Sequence, residues 1–353
     1  MDSVIVTGGA GFIGSALVRR LVAEERYRVV VVDALTYAGN LESLHSVLGS
    51  PSLVFRRHDI ADALAVRALL SEFQPRAVLH LAAESHVDRS IDGPAAFLQT
   101  NMVGTFTLLQ EALAHWRTLG PIEAMTFRFL HVSTDEVFGS LESADAPFNE
   151  GSAYRPNSPY AATKAGADHL VRAWHATYGL PCVIANCSNN YGPYQFPEKL
   201  IPLTIRRAVA AQPIAVYGTG ENIRDWLYVD DHVDALLALL DRGRIGETYC
   251  VGGGAQRTNI DVVRRVCTLL DELRPVRGAH ASAITFVEDR PGHDFRYAID
   301  SSRIRSQLQW RPRHSFGAGL RATVEWYLAN PLWTEHVLSG SYRGERLGLA
   351  GSR

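Results

Sequence analysis

The segment Val4-Ile5-Val6-Thr7-Gly8-Gly9-Ala10-Gly11-Phe12-Ile13-Gly14 constrains the fold more than any other part of the chain. A short apolar run meets Gly-x-x-Gly-x-x-Gly, and residues 12–23 then follow a helical pattern. Glycine at Gly8, Gly11 and Gly14, with Phe12 and Ile13 between them, permits a tight strand-to-helix corner whose backbone can approach a pyrophosphate. The helix N-terminus favours that negative charge. Nineteen residues after Gly14, Asp33 closes a second apolar run over 28–32. A carboxylate there accepts hydrogen bonds from the adenosine ribose and repels a 2′-phosphate, so the corner predicts NAD in preference to NADP.

Apolar runs recur at 53–56, 77–81, 127–132 and 182–185, separated by helical patterns. Continuous apolar strands alternating with amphipathic helices predict an α/β fold, a doubly wound parallel sheet of Rossmann type. Ligands on such sheets bind beyond the carboxyl ends of the strands. Asp59 and Ile60 after the third run, and Leu81-Ala82-Ala83-Glu84-Ser85 after the fourth, are thereby placed as neighbours of adenine and ribose. Beyond about residue 190 the alternation loosens into Gly- and Pro-rich segments. The expected division is an NAD-binding domain over 1–188, joined again by segments near 226–258, a smaller substrate lobe over 189–330, and a loosely packed tail over 331–353.

Tyr160 and Lys164 stand four residues apart in Ser158-Pro159-Tyr160-Ala161-Ala162-Thr163-Lys164. On a helix they share a face, so the ammonium can sit beside the phenol and favour its phenolate. Pro159 suits the first turn, where its missing N–H has no intrahelical partner. A tyrosine base beside a nicotinamide cofactor predicts hydride chemistry on a hydroxyl group.

A formal charge of −2 and a pI near 6.7 leave no basic footprint for nucleic acid. No apolar stretch reaches the length needed to cross a bilayer, and residues 1–14 read as strand and loop instead of a signal, so a cytoplasmic protein is expected. Cys182, Cys187, Cys250 and Cys267 show no C-x-x-C spacing and read as buried thiols. The histidines include no H-E-x-x-H pair, so no metal is assigned.

The glycine corner, Asp33, Tyr160 and Lys164 resemble those of the extended short-chain dehydrogenases/reductases. Further segments narrow the likeness: Leu35-Thr36-Tyr37-Ala38-Gly39-Asn40, Ala82-Ala83-Glu84-Ser85-His86-Val87-Asp88-Arg89-Ser90, Ser133-Thr134-Asp135-Glu136-Val137, Asn189-Asn190-Tyr191-Gly192-Pro193-Tyr194-Gln195-Phe196-Pro197-Glu198-Lys199-Leu200, Arg224-Asp225-Trp226-Leu227-Tyr228-Val229-Asp230-Asp231-His232 and Asp289-Arg290-Pro291-Gly292-His293-Asp294. As a set, spanning about 3–330, they are similar to the dTDP-glucose 4,6-dehydratase family, whose likeness implies a hydro-lyase acting on dTDP-glucose with bound NAD.

The resemblance implies that Tyr160 takes the proton of the sugar C4 hydroxyl, that Glu136 removes the C5 proton, and that Asp135 protonates the departing C6 hydroxyl. Lys164 would lower the pKa of Tyr160 and hold the nicotinamide ribose, and Thr134 would hydrogen-bond the C4 oxygen and the phenol. Leu35, Thr36, Thr100 and Asn190 join the implied cofactor contacts. Ser85, Thr134 and Asn189 are implied at the sugar or phosphate. Lys199, Leu200, Arg224, Arg290 and His293 are implied around the diphosphate, and Ala215, Tyr217 and Asn259 around the base and its ribose. A homodimer through helical segments 94–116 and Pro159–Tyr178 is implied as well. Phe138 departs from the tyrosine often found after Asp-Glu-Val.

The nearest alternative is an NAD-dependent sugar-nucleotide 4-epimerase, which shares the corner, the tyrosine and the lysine; Asp135-Glu136 argues against it. A decarboxylase acting on a nucleotide-linked uronic acid fits the Arg-Pro-Gly-His and Thr-Asp-Glu segments less well. A non-catalytic NAD-binding regulator or scaffold would be expected to lack Tyr160, Lys164 or Glu136, and all three are present.

Overall fold

The strands of this chain alternate their side chains between two buried faces, and that pattern organises the molecule. The computed structural model describes residues 1–338. The strands are β1 (Ser3–Thr7), β2 (Arg28–Asp33), β3 (Leu53–Arg57), β4 (Ala77–His80), β5 (Arg128–Thr134), β6 (Cys182–Cys187), β7 (Asn189–Tyr191), β8 (Ile214–Tyr217), β9 (Ile223–Tyr228), β10 (Thr248–Val251), β11 (Gln256–Thr258) and β12 (Ile284–Val287). Among the described residues, seven of them form one parallel sheet in the order β10-β6-β5-β4-β1-β2-β3. Val4, Val6, Val29, Val31, Leu79 and Leu130 face one core with the helices Phe12–Glu24 and Val229–Arg242. Ile5, Val30, Val32, Val78 and Phe129 face the other, with the helices Ala63–Phe73, Thr105–Trp116 and Pro159–Tyr178. Each such residue taken fully from water contributes about 1.5–3 kcal/mol, which explains why the strands are apolar throughout instead of alternating with polar residues.

β10 pairs with β6, and the helix Val229–Arg242 packs against the helix Phe12–Glu24, so chain from the region near 226–258 returns to the main sheet. The remaining strands make a three-stranded sheet, β11-β9-β7, and a two-stranded one, β12-β8. Around these a separate core gathers Tyr191, Ile201, Trp226, Val262 and Val266. Tail residues Pro331–Leu338 form a helix whose Trp333 and Val337 are buried in that same core. Two apolar side chains one turn apart suffice to dock it, a signal hidden in the sequence by the Gly- and Arg-rich stretch that follows. The rest of the expected tail lies outside the described residues.

The 94–116 stretch is not one regular helix. A short helix Pro94–Phe97 opens into a wide π-helical turn at Leu98–Gly104 before the helix Thr105–Trp116. The wide turn carries Asn101, whose amide bonds both Glu84 backbone groups and the Thr163 hydroxyl. It thus ties the loop after β4 to the helix bearing Tyr160. Such bulges frequently mark functional sites.

Candidate active site

The glycine corner, the carboxyl ends of β1, β2, β4, β5 and β6, and residues 195, 196, 198 and 199 of the smaller lobe wall a single elongated cleft. Gly8 is left-handed, with φ +68°, and a side chain there would press within 2.6 Å of the Ala82 amide nitrogen. At Gly14 a Cβ would stand 2.1 Å from the Gly8 carbonyl oxygen. Only glycine lets the helix Phe12–Glu24 start this close to the turn. Asp33, at the end of β2, receives the Ala10 N–H at 2.9 Å and the Leu35 N–H at 2.8 Å. Burial pushes its carboxyl upward, and the two amides pull it back.

Gly8, Gly11, Phe12, Ile13, Gly14, Asp33, Thr36, Asp59, Ile60, Leu81, Ala82, Ala83, Ser85, Thr100 and Asn190 all lie on this wall. Leu35 does not; it adopts φ +54° and supplies its backbone N–H to Asp33. The wall suits a dinucleotide: a turn without side chains beside a helix N-terminus, a fixed carboxylate at the second strand, and, deeper in, a buried Asn189 Oδ1 with no protein partner among the described residues.

The helix Pro159–Tyr178 begins cleanly because Ser158 caps it, accepting the Ala161 N–H at 3.1 Å, and Pro159 fills its first turn. Tyr160, Lys164 and Asp168 follow at i, i+4 and i+8, and all are buried. Tyr160 and Lys164 face the cleft beside Thr134, Asp135 and Glu136, which turn out of β5. Lys164 Nζ donates to the Val132 carbonyl at 2.8 Å, and burial lowers its pKa while Asp168 and Cys187 oppose that.

The expectation that Lys164 brings Tyr160 down is not met in this structure. Burial first, then the charges of Glu136, Cys187 and Asp135, hold the phenol well above its ordinary value, against a hydrogen bond with Thr134. The Lys164 ammonium is engaged with the Val132 carbonyl instead.

The two adjacent carboxyls differ sharply. Asp135 is shut from solvent, accepts a 3.3 Å hydrogen bond from the Thr134 hydroxyl, and has its Oδ2 without a partner among the described residues. Burial and then the Glu136 charge push it well up, which favours its protonated form. Glu136 is half-buried, and burial raises it as well, but Arg290, Arg224 and Lys199 each draw it back toward the ionised form. One carboxyl is therefore poised to give a proton and its neighbour to take one.

Ser85, Thr134, Asn189 and Lys199 line the cleft, the last bonding the Ser85 carbonyl at 3.0 Å. Arg224, Arg290, His293, Tyr217, Leu200, Ala215 and Asn259 are not among its lining residues. Tyr217 and Arg290 converge instead on Asp88, at 3.0 and 3.4 Å, and His293 bonds Asp289 at 2.6 Å. Arg224 is buried, bonded to the carbonyls of Ile223 and Asp294 at 2.7 and 3.0 Å, with its guanidinium 4.3 Å from the centre of the Tyr297 ring. Ala215 is exposed on β8, while Leu200 and Asn259 sit half-buried at helix starts. The cleft also includes Glu84, from the segment expected beside adenine and ribose, and residues to which sequence reasoning gave no role: His58, Gln195, Phe196 and Glu198. Glu84 and Glu198 stood inside the quoted segments, but nothing in spacing showed that they would meet across the two lobes.

Comparison with known proteins agrees with this geometry. A family model described as GDP-mannose 4,6 dehydratase matches residues 5–323. The chain is 54% identical to a dTDP-glucose 4,6-dehydratase of Neisseria meningitidis over 352 residues, covering 99% of each. It superposes with a TM-score of 0.86 at 44% identity on DesIV, a dTDP-glucose 4,6-dehydratase from Streptomyces venezuelae solved with NAD, covering 95% of this chain and 99% of that one. A Thermotoga maritima UDP-glucose 4-epimerase is more distant, at 27% identity and a TM-score of 0.82, covering 93% and 99%. With a doubly wound sheet, a glycine corner, and Tyr160, Lys164 and the Asp135-Glu136 pair around one cleft, the chain belongs to the dTDP-glucose 4,6-dehydratase family.

Proposed function

We propose that the protein is a hydro-lyase that converts dTDP-glucose to dTDP-4-keto-6-deoxyglucose, with Thr134, Asp135, Glu136, Tyr160 and Lys164 as its reacting groups. The observation that carries this reading is the divided environment of Asp135 and Glu136 within reach of the same cleft as Tyr160. NAD, when bound, supplies a positively charged ring that takes hydride from C4 and returns it to C6. Gly8, Gly11 and Gly14 with the helix N-terminus would hold its pyrophosphate, Asp33 its adenosine ribose, and Lys164 its nicotinamide ribose.

Tyr160, whose raised phenol the positive charge of bound NAD would draw back down, would accept the proton of the C4 hydroxyl, and Thr134 would hydrogen-bond the oxygen left behind. The 4-keto group makes the C5 hydrogen acidic. Glu136, ionised under the influence of Arg290, Arg224 and Lys199, removes it, while the protonated Asp135 gives its proton to the C6 hydroxyl, which leaves as water. Glu136 then returns a proton to C5 after C6 is reduced. An epimerase needs none of this second acid–base pair, which is why Asp135 and Glu136 favour the dehydratase.

Lys199 on the cleft wall, with the charges of Arg290 and Arg224 close enough to act on Glu136, suits a diphosphate, whose oxygens accept charge-assisted hydrogen bonds. A homodimer completes the reading. Leu98, Val103 and Phe106 are exposed on 98–106, Tyr178 is exposed at the end of its helix, and Phe106 and Tyr178 both stack edge-on against Trp174. This is an apolar face of the kind that partners cover. Buried free thiols at all four cysteines fit a reducing, cytoplasmic setting.

The test is incubation of purified protein with dTDP-glucose and no added reductant, followed by mass spectrometry and by the alkaline absorbance of a 4-keto sugar. Loss of one water supports the reading. Unchanged mass with galactose formed would favour the epimerase.

A further inference from the structure

Asp168 lies one helical turn beyond Lys164, is wholly excluded from solvent, and has no place in the proton transfers above. Its two carboxylate oxygens gather four donors from three parts of the chain. From β5 come His131 Nε2 at 3.1 Å and the Ser133 hydroxyl at 2.9 Å. From β6 comes the Asn186 amide at 3.1 Å, and from the segment before the helix comes the Tyr154 hydroxyl at 2.7 Å. The same Asn186 amide donates to the Thr134 carbonyl at 3.1 Å. Asp168 therefore touches the residue before Thr134 directly and Thr134 itself through one side chain.

Resting on the dehydratase reading, we propose that Asp168 is a positioning residue: its buried carboxylate locks the Thr134–Glu136 end of β5 against the helix that carries Tyr160 and Lys164. The proton donor and acceptor at Asp135 and Glu136 sit on a strand end, whereas Tyr160 sits on the helix, and the sugar must meet both. A fixed anion that accepts from both strands and belongs to the helix sets their separation. A charged acceptor also strengthens each bond relative to a neutral one.

Its charge has a second consequence. Lys164 is one turn away, and Asp168 opposes the loss of the lysine proton that burial favours. The other groups facing this pair are His131 from β5, His80 stacked behind it on β4 at 5.1 Å, Cys187 from β6, Tyr154, and Arg172, which bonds the Tyr154 hydroxyl at 2.7 Å. Burial and the Lys164 charge push His131 down to about 4, so it is neutral and adds no cation of its own near pH 7. The carboxylate is the anion that Lys164 faces across this network.

The test compares Asp168→Asn, which keeps the shape and removes the charge, with Tyr154→Phe, which keeps the charge and removes one donor. Both are assayed with NAD and dTDP-glucose beside the parent protein, with folding checked by circular dichroism. Asp168→Asn is expected to lower kcat about tenfold or more with KM within about twofold, and to move the alkaline limb of kcat to lower pH, because Lys164 then loses its proton more easily. Tyr154→Phe is expected to lower kcat a few-fold, with KM and the alkaline limb in place. Parental kcat or an unmoved alkaline limb in Asp168→Asn overturns the proposal. Should that variant not fold, parental kcat in Tyr154→Phe overturns it and a reduced kcat at constant KM supports it. A parent protein that leaves dTDP-glucose unchanged overturns the functional reading itself, and this role with it.

Discussion

Asp135 and Glu136, adjacent in sequence, are held in opposite electrostatic surroundings: the first has its Oδ2 sealed in a pocket without a partner, and the second faces the cationic groups of Arg290, Arg224 and Lys199. The tight turn Asp135–Phe138 follows the strand end at once, and within it Asp135 is buried while Glu136 is half-buried. Their chemical division follows from that turn.

Replacing Glu136 by Gln removes the base and leaves the shape. Loss of water is expected to fall by about 10²–10⁴-fold, while oxidation at C4 persists and is visible as the near-ultraviolet absorbance of reduced cofactor. Dehydration at the parental rate would sink the assignment of Glu136.

Arg290→Met removes the largest influence favouring ionised Glu136. Taking a cation from beside a carboxylate disfavours its charged form, so the folded-state pKa of Glu136 rises further. The acid limb of the kcat/KM profile should then move to higher pH, with the alkaline limb unchanged. A steady-state pH series decides it; a shift toward lower pH, or none, would remove Arg290 from that role.

Gly14→Ala places a methyl group 2.1 Å from the Gly8 carbonyl oxygen, so the corner must open. Overpacking of this kind costs about 1–3 kcal/mol, and NAD retained by the purified protein should drop about tenfold or more. The measurement is cofactor content by chromatography after denaturation, set against the melting temperature to separate lost binding from lost folding.

Phe106→Asp puts a charge on the exposed apolar face formed with Trp174 and Tyr178. On the proposed dimer, light scattering after size exclusion should give a dimer mass for the parent and a monomer mass for the variant at the same concentration. A dimer of undiminished stability would move the interface elsewhere.

The doubly wound parallel sheet and the location of the cleft beyond the carboxyl ends of its strands were legible because local patterns carry them. Continuous apolar runs report two buried faces, Gly-x-x-Gly-x-x-Gly reports a turn that excludes side chains, and Tyr160 and Lys164 share a face by helical spacing alone. The pairing of β10 with β6, the wide turn carrying Asn101 and the docking of Trp333 involve partners far apart in the chain, and no short window contains them. The diphosphate side shows the same limit. Tyr217 and Arg290 were legible as polar residues in loops, but their meeting at Asp88 arises only when the smaller lobe folds over the loop after β4.

The sequence by itself determined which chemistry this protein can attempt, because the identity and spacing of the glycines, Asp33, Thr134, Asp135, Glu136, Tyr160 and Lys164 are local properties. Only the tertiary structure decided the protonation of those groups. Burial and then its neighbour Glu136 push Asp135 up, Arg290, Arg224 and Lys199 from distant parts of the chain draw Glu136 toward ionisation, and burial with Glu136 raises Tyr160 despite Lys164 on the same helix face. A pKa depends on what surrounds a group in three dimensions, and helical spacing specifies just one of those neighbours.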